Sequence, residues 1–492
     1  MFSRIFFRLL ILTVAVITNQ LFATHLTAAD KPNFIVINVD DLGYADIGPF
    51  GSKTNATPNL DRMAQEGRRL TSYYAAPVCS PSRASLMTGC YPKRTLPIPH
   101  VLFPASAVGL HPDEVTVAEV LKSVGYATAC VGKWHLGDQP EFLPTRQGFD
   151  YYFGLPYSND MGPGEDGAKS NPGRPLPKPP ARRNANGDEV GVRGNGQPPL
   201  PLLENERVVE RVRADEQATL TRRYTERATN FIREHRDEPF FLYMPHTAVH
   251  FPLYPADEYR GKSKGGGLLG DWSQEVDWSV GQVLDTIREL NLQTKTLVIF
   301  TSDNGGSTSH GSNNGPLRGA KGSTWEGGIR VPTIAWWPEH VPAGTSTDAI
   351  TSMMDVLPTL AKLSGASLPD GRKLDGVDME SVLIGPAADA GPRDTFCYYR
   401  GLNLQAVRVA DWKLHLASGE LYNLKSDIGE QTNVADKHPE VVQRLRSVAD
   451  ATRDDLGVEG LGPGCRPLGR VKRPLPLIDH QGVVRSGFES TN

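Results

Sequence analysis

The five residues Cys79-Ser80-Pro81-Ser82-Arg83 place a sulfur nucleophile four positions ahead of a permanent positive charge. A structural cysteine behaves as a small hydrophobe, and two serines, a proline and an arginine are poor company for a core position. A thiolate phosphatase would carry its arginine six positions on, so that the loop can wrap an oxyanion, and Arg83 comes too early for that. A disulfide to Cys90 would account for none of the residues in between. The second chemical signal is a set of hard oxygen ligands. Asp40 and Asp41 close one apolar run; Asp303 and Asn304, followed by Gly305-Gly306, close another far along the chain. Acids at a strand end are often simply solvated. Two such ends brought together would hold a divalent cation, calcium rather than magnesium, which demands near-ideal octahedral geometry.

The elements that carry these residues have to bring them together. The apolar run 34–39 leads into Asp40-Asp41, 126–131 into Gly132-Lys133-Trp134-His135, 240–244 into His246 and His250, and 296–300 into Asp303-Asn304. Continuous apolar runs of this length predict strands buried on both faces of a parallel α/β sheet. Ligands of such sheets bind beyond the carboxyl ends of the strands, so one shared pocket is expected. Helical stripes are predicted over 115–124, at Leu220, Tyr224, Ala228, Phe231 and Ile232, and over 278–290; all three are core faces without chemistry. From Gly162 to about Pro201, Gly, Pro and Arg prevail without periodicity. This predicts a long surface insertion near the pocket rim, where loops tune substrate choice. After Gly385 short runs at 395–399, 405–409, 412–416 and 420–424 predict antiparallel strands, 441–448 a helix, and the stretch from Gly460 an irregular end.

Taken together, the motifs resemble those of the formylglycine-dependent sulfatases, closest to the arylsulfatase and N-acetylgalactosamine-6-sulfatase branch. The segment from Cys79 to Thr88-Gly89 is similar to the C-x-P-x-R signature that a maturation enzyme reads in the unfolded chain, oxidising the cysteine to an aldehyde. Gly132-Lys133-Trp134-His135-Leu136-Gly137 matches the family's G-K-W-H-L-G block, residues 239–252 its P-F-F-L-Y…H-x-P segment, and residues 319–330 its lysine-bearing E-G-G block. The resemblance implies an alkaline-phosphatase-like α/β fold: a mixed sheet sandwiched by helices, with a smaller C-terminal α+β domain. It implies 3-oxoalanine (formylglycine) formed from Cys79, whose hydrate attacks sulfur, releases the alcohol by S–O cleavage and later expels sulfate. Asp40, Asp41, Asp303 and Asn304, with an oxygen of the modified Cys79, would hold Ca2+, with Mg2+ the lesser choice. Lys133 would neutralise a sulfate oxygen and His135 accept a proton. His250 and Lys321 would bind sulfate and assist the leaving oxygen, with His246 ranked behind His250 because no x-Pro follows it. Arg83 would support the modified residue. Ser158, in a Pro156-Tyr157-Ser158-Asn159-Asp160 segment similar to the family's P-Y-S-H-D, would touch substrate; Asn159 departs from that pattern.

Residues 1–29 read as a secretory leader: Arg4 and Arg8, an apolar run from Leu9 to Ile17, and small residues up to Ala29. The expected organisation is a leader over 1–29, a catalytic domain over 30–385 and an antiparallel-sheet unit over 386–492. Export to the periplasm or outside the cell follows, with no stable membrane insertion, because the apolar run is too short to span a bilayer. A formal charge of −4 over 492 residues carries no basic field for nucleic acid. With only five cysteines, disulfides are not the main scaffold. The expected substrate is a sulfated carbohydrate or aryl sulfate. The rivals are a phosphate or phosphonate ester hydrolase of the same superfamily and a glycan-binding pseudoenzyme. The sugar, the sulfate position, exo or endo action, oligomeric state, cysteine pairing and glycosylation at Asn55 stay open at this level.

Overall fold

The computed structural model describes residues 31–177, 189–386 and 391–490; the leader read over 1–29 and residues 178–188 of the Gly/Pro/Arg-rich stretch lie outside them. The strand Asn33–Val39 is buried along its whole length because each face feeds a different core. Phe34 and Val36 join Met87, Val117 and Leu357 on one side, whereas Ile35, Ile37 and Val39 join Leu60, Tyr224 and Val280 on the other. This is the two-residue period of a strand buried on both sides. Helices Cys79–Thr88, Val117–Lys122 and Val356–Ser364 cover the first face. Helices Pro58–Glu66, Leu220–Glu234 and Gly267–Glu289 cover the second.

Across the middle of the sheet the order is Thr296–Ser302, Asn33–Val39, Phe240–Pro245, Ala127–Val131, Tyr151–Gly154, every neighbouring pair parallel. The first four are the strands whose ends carry the acids, amide, lysine and histidines, and they are consecutive neighbours. Arg330–Trp336 and Arg68–Tyr74 extend the sheet antiparallel beyond Thr296–Ser302. A hairpin, Leu200–Glu204 with Arg207–Val212, extends it at the other side. The sheet is therefore mixed and sandwiched by helices, as expected.

Three boundaries differ from the sequence reading. The helix read from Trp278 starts at Gly267; three acids on its buried side interrupt the apolar stripe ahead of Trp278. The helix read over 115–124 is shorter, Val117–Lys122, because Thr116 and Glu119 close a capping box around its first turn. The stretch read as a surface insertion is tied down at its far end. Val190 and Val192 are buried, Phe103 N–H donates to Val190 O at 2.7 Å and Val192 N–H to Pro104 O at 2.8 Å, and the sheet resumes at Leu200.

The C-terminal strands Thr395–Arg400, Asn403–Val409, Trp412–His415 and Leu421–Asn423 form a separate antiparallel meander. Helix Pro439–Ala451 seats Leu445 against Leu414 and Leu421. The last stretch is largely irregular but returns to the main body: Gly469–Arg470 pairs with Val108–Gly109, and Val208 bridges to Glu489. Among the described residues no helix is long and apolar enough to cross a membrane. All five cysteines are free. Asn55 is buried, its Nδ2 donating to Asp46 O at 2.9 Å.

Candidate active site

Cys79 opens the helix Cys79–Thr88 directly after extended Val78, so its sulfur sits at the positive end of the helix dipole. Ser82 braces this start, its hydroxyl accepting the Ala76 N–H at 2.9 Å. At the other end Gly89 adopts φ 66° and donates to Ser85 O, closing the helix with a left-handed cap. The whole helix is buried, so Cys79 and Arg83 project into the protein, one turn apart on the same side.

The strand ends supply the rest. Gly132 takes φ 134°, and a Cβ there would lie 1.9 Å from Pro245 O; only glycine lets Lys133 N–H reach that oxygen at 2.7 Å. Lys133 Nζ then bonds Asp40. Asp41 (φ 61°) and His135 (φ 67°) both occupy the left-handed region, a strained choice for non-glycine residues and one that collects at functional sites.

Ligand atoms of Asp40, Asp41, Cys79 and His250 all lie within 4.8 Å of one another. Cys79 Sγ is 3.3 Å from Asp40 Oδ1, and His250 Nε2 is 3.7 Å from Asp41 Oδ2. Asp303 stands just outside this group. Its Oδ1 accepts the Asp41 N–H at 3.4 Å, and its Oδ2 takes Arg83 Nε at 3.0 Å and Nη2 at 2.7 Å. Arg83 also donates to the Lys133 carbonyl. Asn304 Nδ2 donates to Asp41 Oδ1 at 2.8 Å, while its Oδ1 is buried with no partner. Lys321 Nζ lies 2.7 Å from Asp41 Oδ1. A buried amide oxygen without a donor, beside converging carboxylates, fits a cation better than a protein contact.

The electrostatics follow from burial against charge. Burial would raise Asp40, but Lys133, His250, Arg83 and Lys321 overrule it and hold the carboxyl well below its usual range. Asp303 is pushed up to about 6 by burial and by Asp40, against the pull of Arg83. Burial, then Asp303 and Asp40, lifts the Cys79 thiol well above its ordinary value, so the unmodified sulfur is a poor nucleophile. Burial, then Lys133 and Arg83, keeps His135 neutral. Its Nε2 bonds Leu102 O at 2.9 Å, and its Nδ1 is buried with no partner.

Every site residue read from the sequence lies at this end of the sheet except His246. That residue hydrogen-bonds Ser279 at 3.3 Å under the helical face and is driven by burial to about 4. Ser158 Oγ is 3.3 Å from His250 Nδ1, which also donates to Phe251 O at 2.5 Å. Asn159 is buried and donates to Pro252 O and Gln217 Oε1, both at 3.1 Å; it braces the His250 loop. The loop 98–103 went unread. Leu102 orients His135 through a carbonyl, a role that leaves no trace in residue type.

The family model described as Sulfatase matches residues 32–366. The chain belongs to the sulfatase family. This sulfatase is 40% identical to arylsulfatase A of Bos taurus over 406 residues, covering 80% of this chain and 76% of that protein. It is 38% identical to N-acetylgalactosamine-6-sulfatase of Sus scrofa over 402 residues, 79% of this chain and 72% of that one. Among solved structures, Ps i-CgsB in complex with k-i-k-neocarrahexaose is similar at a TM-score of 0.71 and 32% identity, covering 86% of this chain and 93% of that one. The protein is a sulfuric ester hydrolase with the alkaline-phosphatase-like fold.

Proposed function

We propose that this sulfatase is exported and cleaves the sulfate ester of a sulfated carbohydrate, using an aldehyde hydrate formed at Cys79 and a calcium ion held by Asp40, Asp41, Asp303 and Asn304. The observation that carries this reading is the convergence of Cys79, Asp40, Asp41 and His250, ringed by Lys133, Lys321 and Arg83. Charge balance supports it. Three carboxylates (Asp40, Asp41, Asp303) face three cations (Lys133, Lys321, Arg83), so a divalent ion would leave a net positive pocket for an anionic sulfate. The oxidised Cys79 would supply the nucleophile and the cation a Lewis acid at sulfur oxygens.

The remaining work belongs to the chain's own residues. Lys133 and Lys321 neutralise sulfate oxygens, and His250, held by Ser158 and Phe251 O, presents Nε2 toward the leaving oxygen. His135 donates Nε2–H to Leu102 O and so offers Nδ1 as a proton acceptor. Arg83 locks Asp303 and the Lys133 carbonyl, fixing two sides of the pocket at once. A carbohydrate substrate is supported by the neighbour solved with neocarrahexaose and by an electropositive rim. The His100 imidazole is held below its ordinary titration range by partial desolvation and then by Lys321, Arg193 and Arg400 nearby.

The test is the mass of the Cys79 peptide from natively produced protein, paired with turnover of matched sulfate and phosphate esters. An aldehyde in place of the thiol, sulfate turnover well above phosphate turnover, and loss of both aldehyde and activity in Cys79→Ala are expected. A Cys79→Ala variant as active as wild type would remove Cys79 from the reaction, and a preference for phosphate would overturn the substrate class.

A further inference from the structure

Lys321 rides on residues 318–326, a stretch with almost no regular structure of its own. On the catalytic side Lys321 N–H to Gly306 O at 3.2 Å, Gly322 N–H to Pro77 O at 2.8 Å and Asn314 Nδ2 to Gly319 O at 3.2 Å hold its backbone. The firmer grip comes from the C-terminal meander. Lys413, fully buried in the strand Trp412–His415, donates Nζ to Thr324 O at 2.8 Å and pairs with Glu326 at 2.9 Å and Glu430 at 2.8 Å. Glu430 accepts the Glu326 N–H at 2.7 Å and meets His415 Nε2 at 3.0 Å, and its carbonyl takes Arg318 Nη1 at 2.8 Å. Gln405 accepts the Thr324 hydroxyl at 3.0 Å. The Trp325 ring is held between Arg318 at 3.7 Å and His415 at 3.9 Å. Glu430 itself sits at φ 51°.

A buried cluster of paired charges is weak evidence for stability, since well-packed apolar residues often do as well or better. Its geometry is what it contributes: directional bonds at both ends of a loop that has few other backbone ties. We propose that Lys413 and Glu430 are positioning residues that fix the Lys321 ammonium in the sulfate pocket, so the C-terminal meander completes the active site. This rests on the role given to Lys321 above.

The experiment measures kcat and KM on an aryl sulfate for wild type, Lys321→Ala, Lys413→Met, Arg318→Ala and the doubles with Lys321→Ala, with thermal unfolding run on each. Arg318 is exposed, so its variant carries the test even where Lys413→Met does not fold. Each clamp variant is expected to lower kcat/KM by about five-fold or more alone, and by less than about two-fold on top of Lys321→Ala, the non-additivity of groups acting through one another. Effects that multiply in the doubles, or clamp variants with wild-type turnover, would overturn the positioning role while leaving Lys321 in place. Wild-type turnover by Lys321→Ala would remove Lys321 from the pocket and the clamp with it.

Discussion

In the proposed reaction His135 can act as a base only while its imidazole is neutral and its free nitrogen faces the pocket. Burial and the charges of Lys133 and Arg83 secure the first condition, and the Leu102 carbonyl secures the second. His135→Ala should lower kcat by about 10²- to 10⁴-fold with little change in KM, checked by steady-state kinetics on an aryl sulfate. Asn304 has a different duty, offering an unpartnered oxygen beside Asp41. Asn304→Leu should raise the free calcium needed for half-maximal activity by about ten-fold or more, read from chelator-buffered titrations; an unchanged requirement would take Asn304 out of the ligand set. At this scale the sequence was readable wherever side chains act from contiguous motifs, as in Gly132–Gly137. It was silent where the acting group is a backbone oxygen, as at Leu102. It showed only a departure from the family pattern at Asn159, where the structure finds an amide bracing the His250 loop.

Helix Gly267–Glu289 shows what the apolar periodicity missed. Its buried side carries Asp271, Glu275 and Asp277, each accepting backbone donors from another segment. Asp271 takes Gly261 and Ser263 N–H, both at 2.8 Å, and Glu275 takes Ala256 N–H at 2.9 Å. Asp277 takes Asn59 N–H at 3.2 Å and Leu60 N–H at 2.8 Å, capping the first turn of Pro58–Glu66 from outside. Charged residues on a core face break a hydrophobic stripe, so the reading began only at Trp278. Asp277→Ala should cost about 1–2 kcal/mol of stability, the usual worth of a helix N-cap, measured by denaturant unfolding. Two of these acids link stability to pH. Burial raises Glu275 to about 8 and Asp277 to about 6, above ordinary values of 4.5 and 3.8. A carboxyl raised in the folded state contributes stability that is complete below its unfolded value and is lost as pH rises through its folded one. The thermal midpoint should therefore fall between about pH 5 and about pH 8, and Glu275→Gln should flatten the upper part of that fall. An unaltered slope in the variant would show that Glu275 does not titrate there.

Over the whole molecule, strand character and the shared pocket were legible because four apolar runs end in chemistry. Strand order was not, since Arg68–Tyr74 and Arg330–Trp336 enter the sheet without ending in site residues of their own. His100, Arg193 and Arg400 come from three distant segments and gather near Lys321, all exposed, and would form the rim of the proposed sulfate pocket. Turnover of a multiply sulfated oligosaccharide should weaken as ionic strength rises from about 0.05 to about 0.2 M, where screening shortens to under about 10 Å, and more steeply than turnover of a singly charged aryl sulfate. Equal salt slopes would take the rim out of substrate selection. Burial of the Cys79 helix also sets a clock. Asn33–Val39 cannot be enclosed until Phe240–Pro245 and Thr296–Ser302 exist to flank it, and the helix lies beneath that same sheet. Synthesis at about 5–20 residues per second needs roughly 10–45 s to pass from Cys79 to Ser302. In the proposed maturation an enzyme that oxidises Cys79 would have that interval to find an open chain, and a copy missed before the sheet closes would keep its thiol.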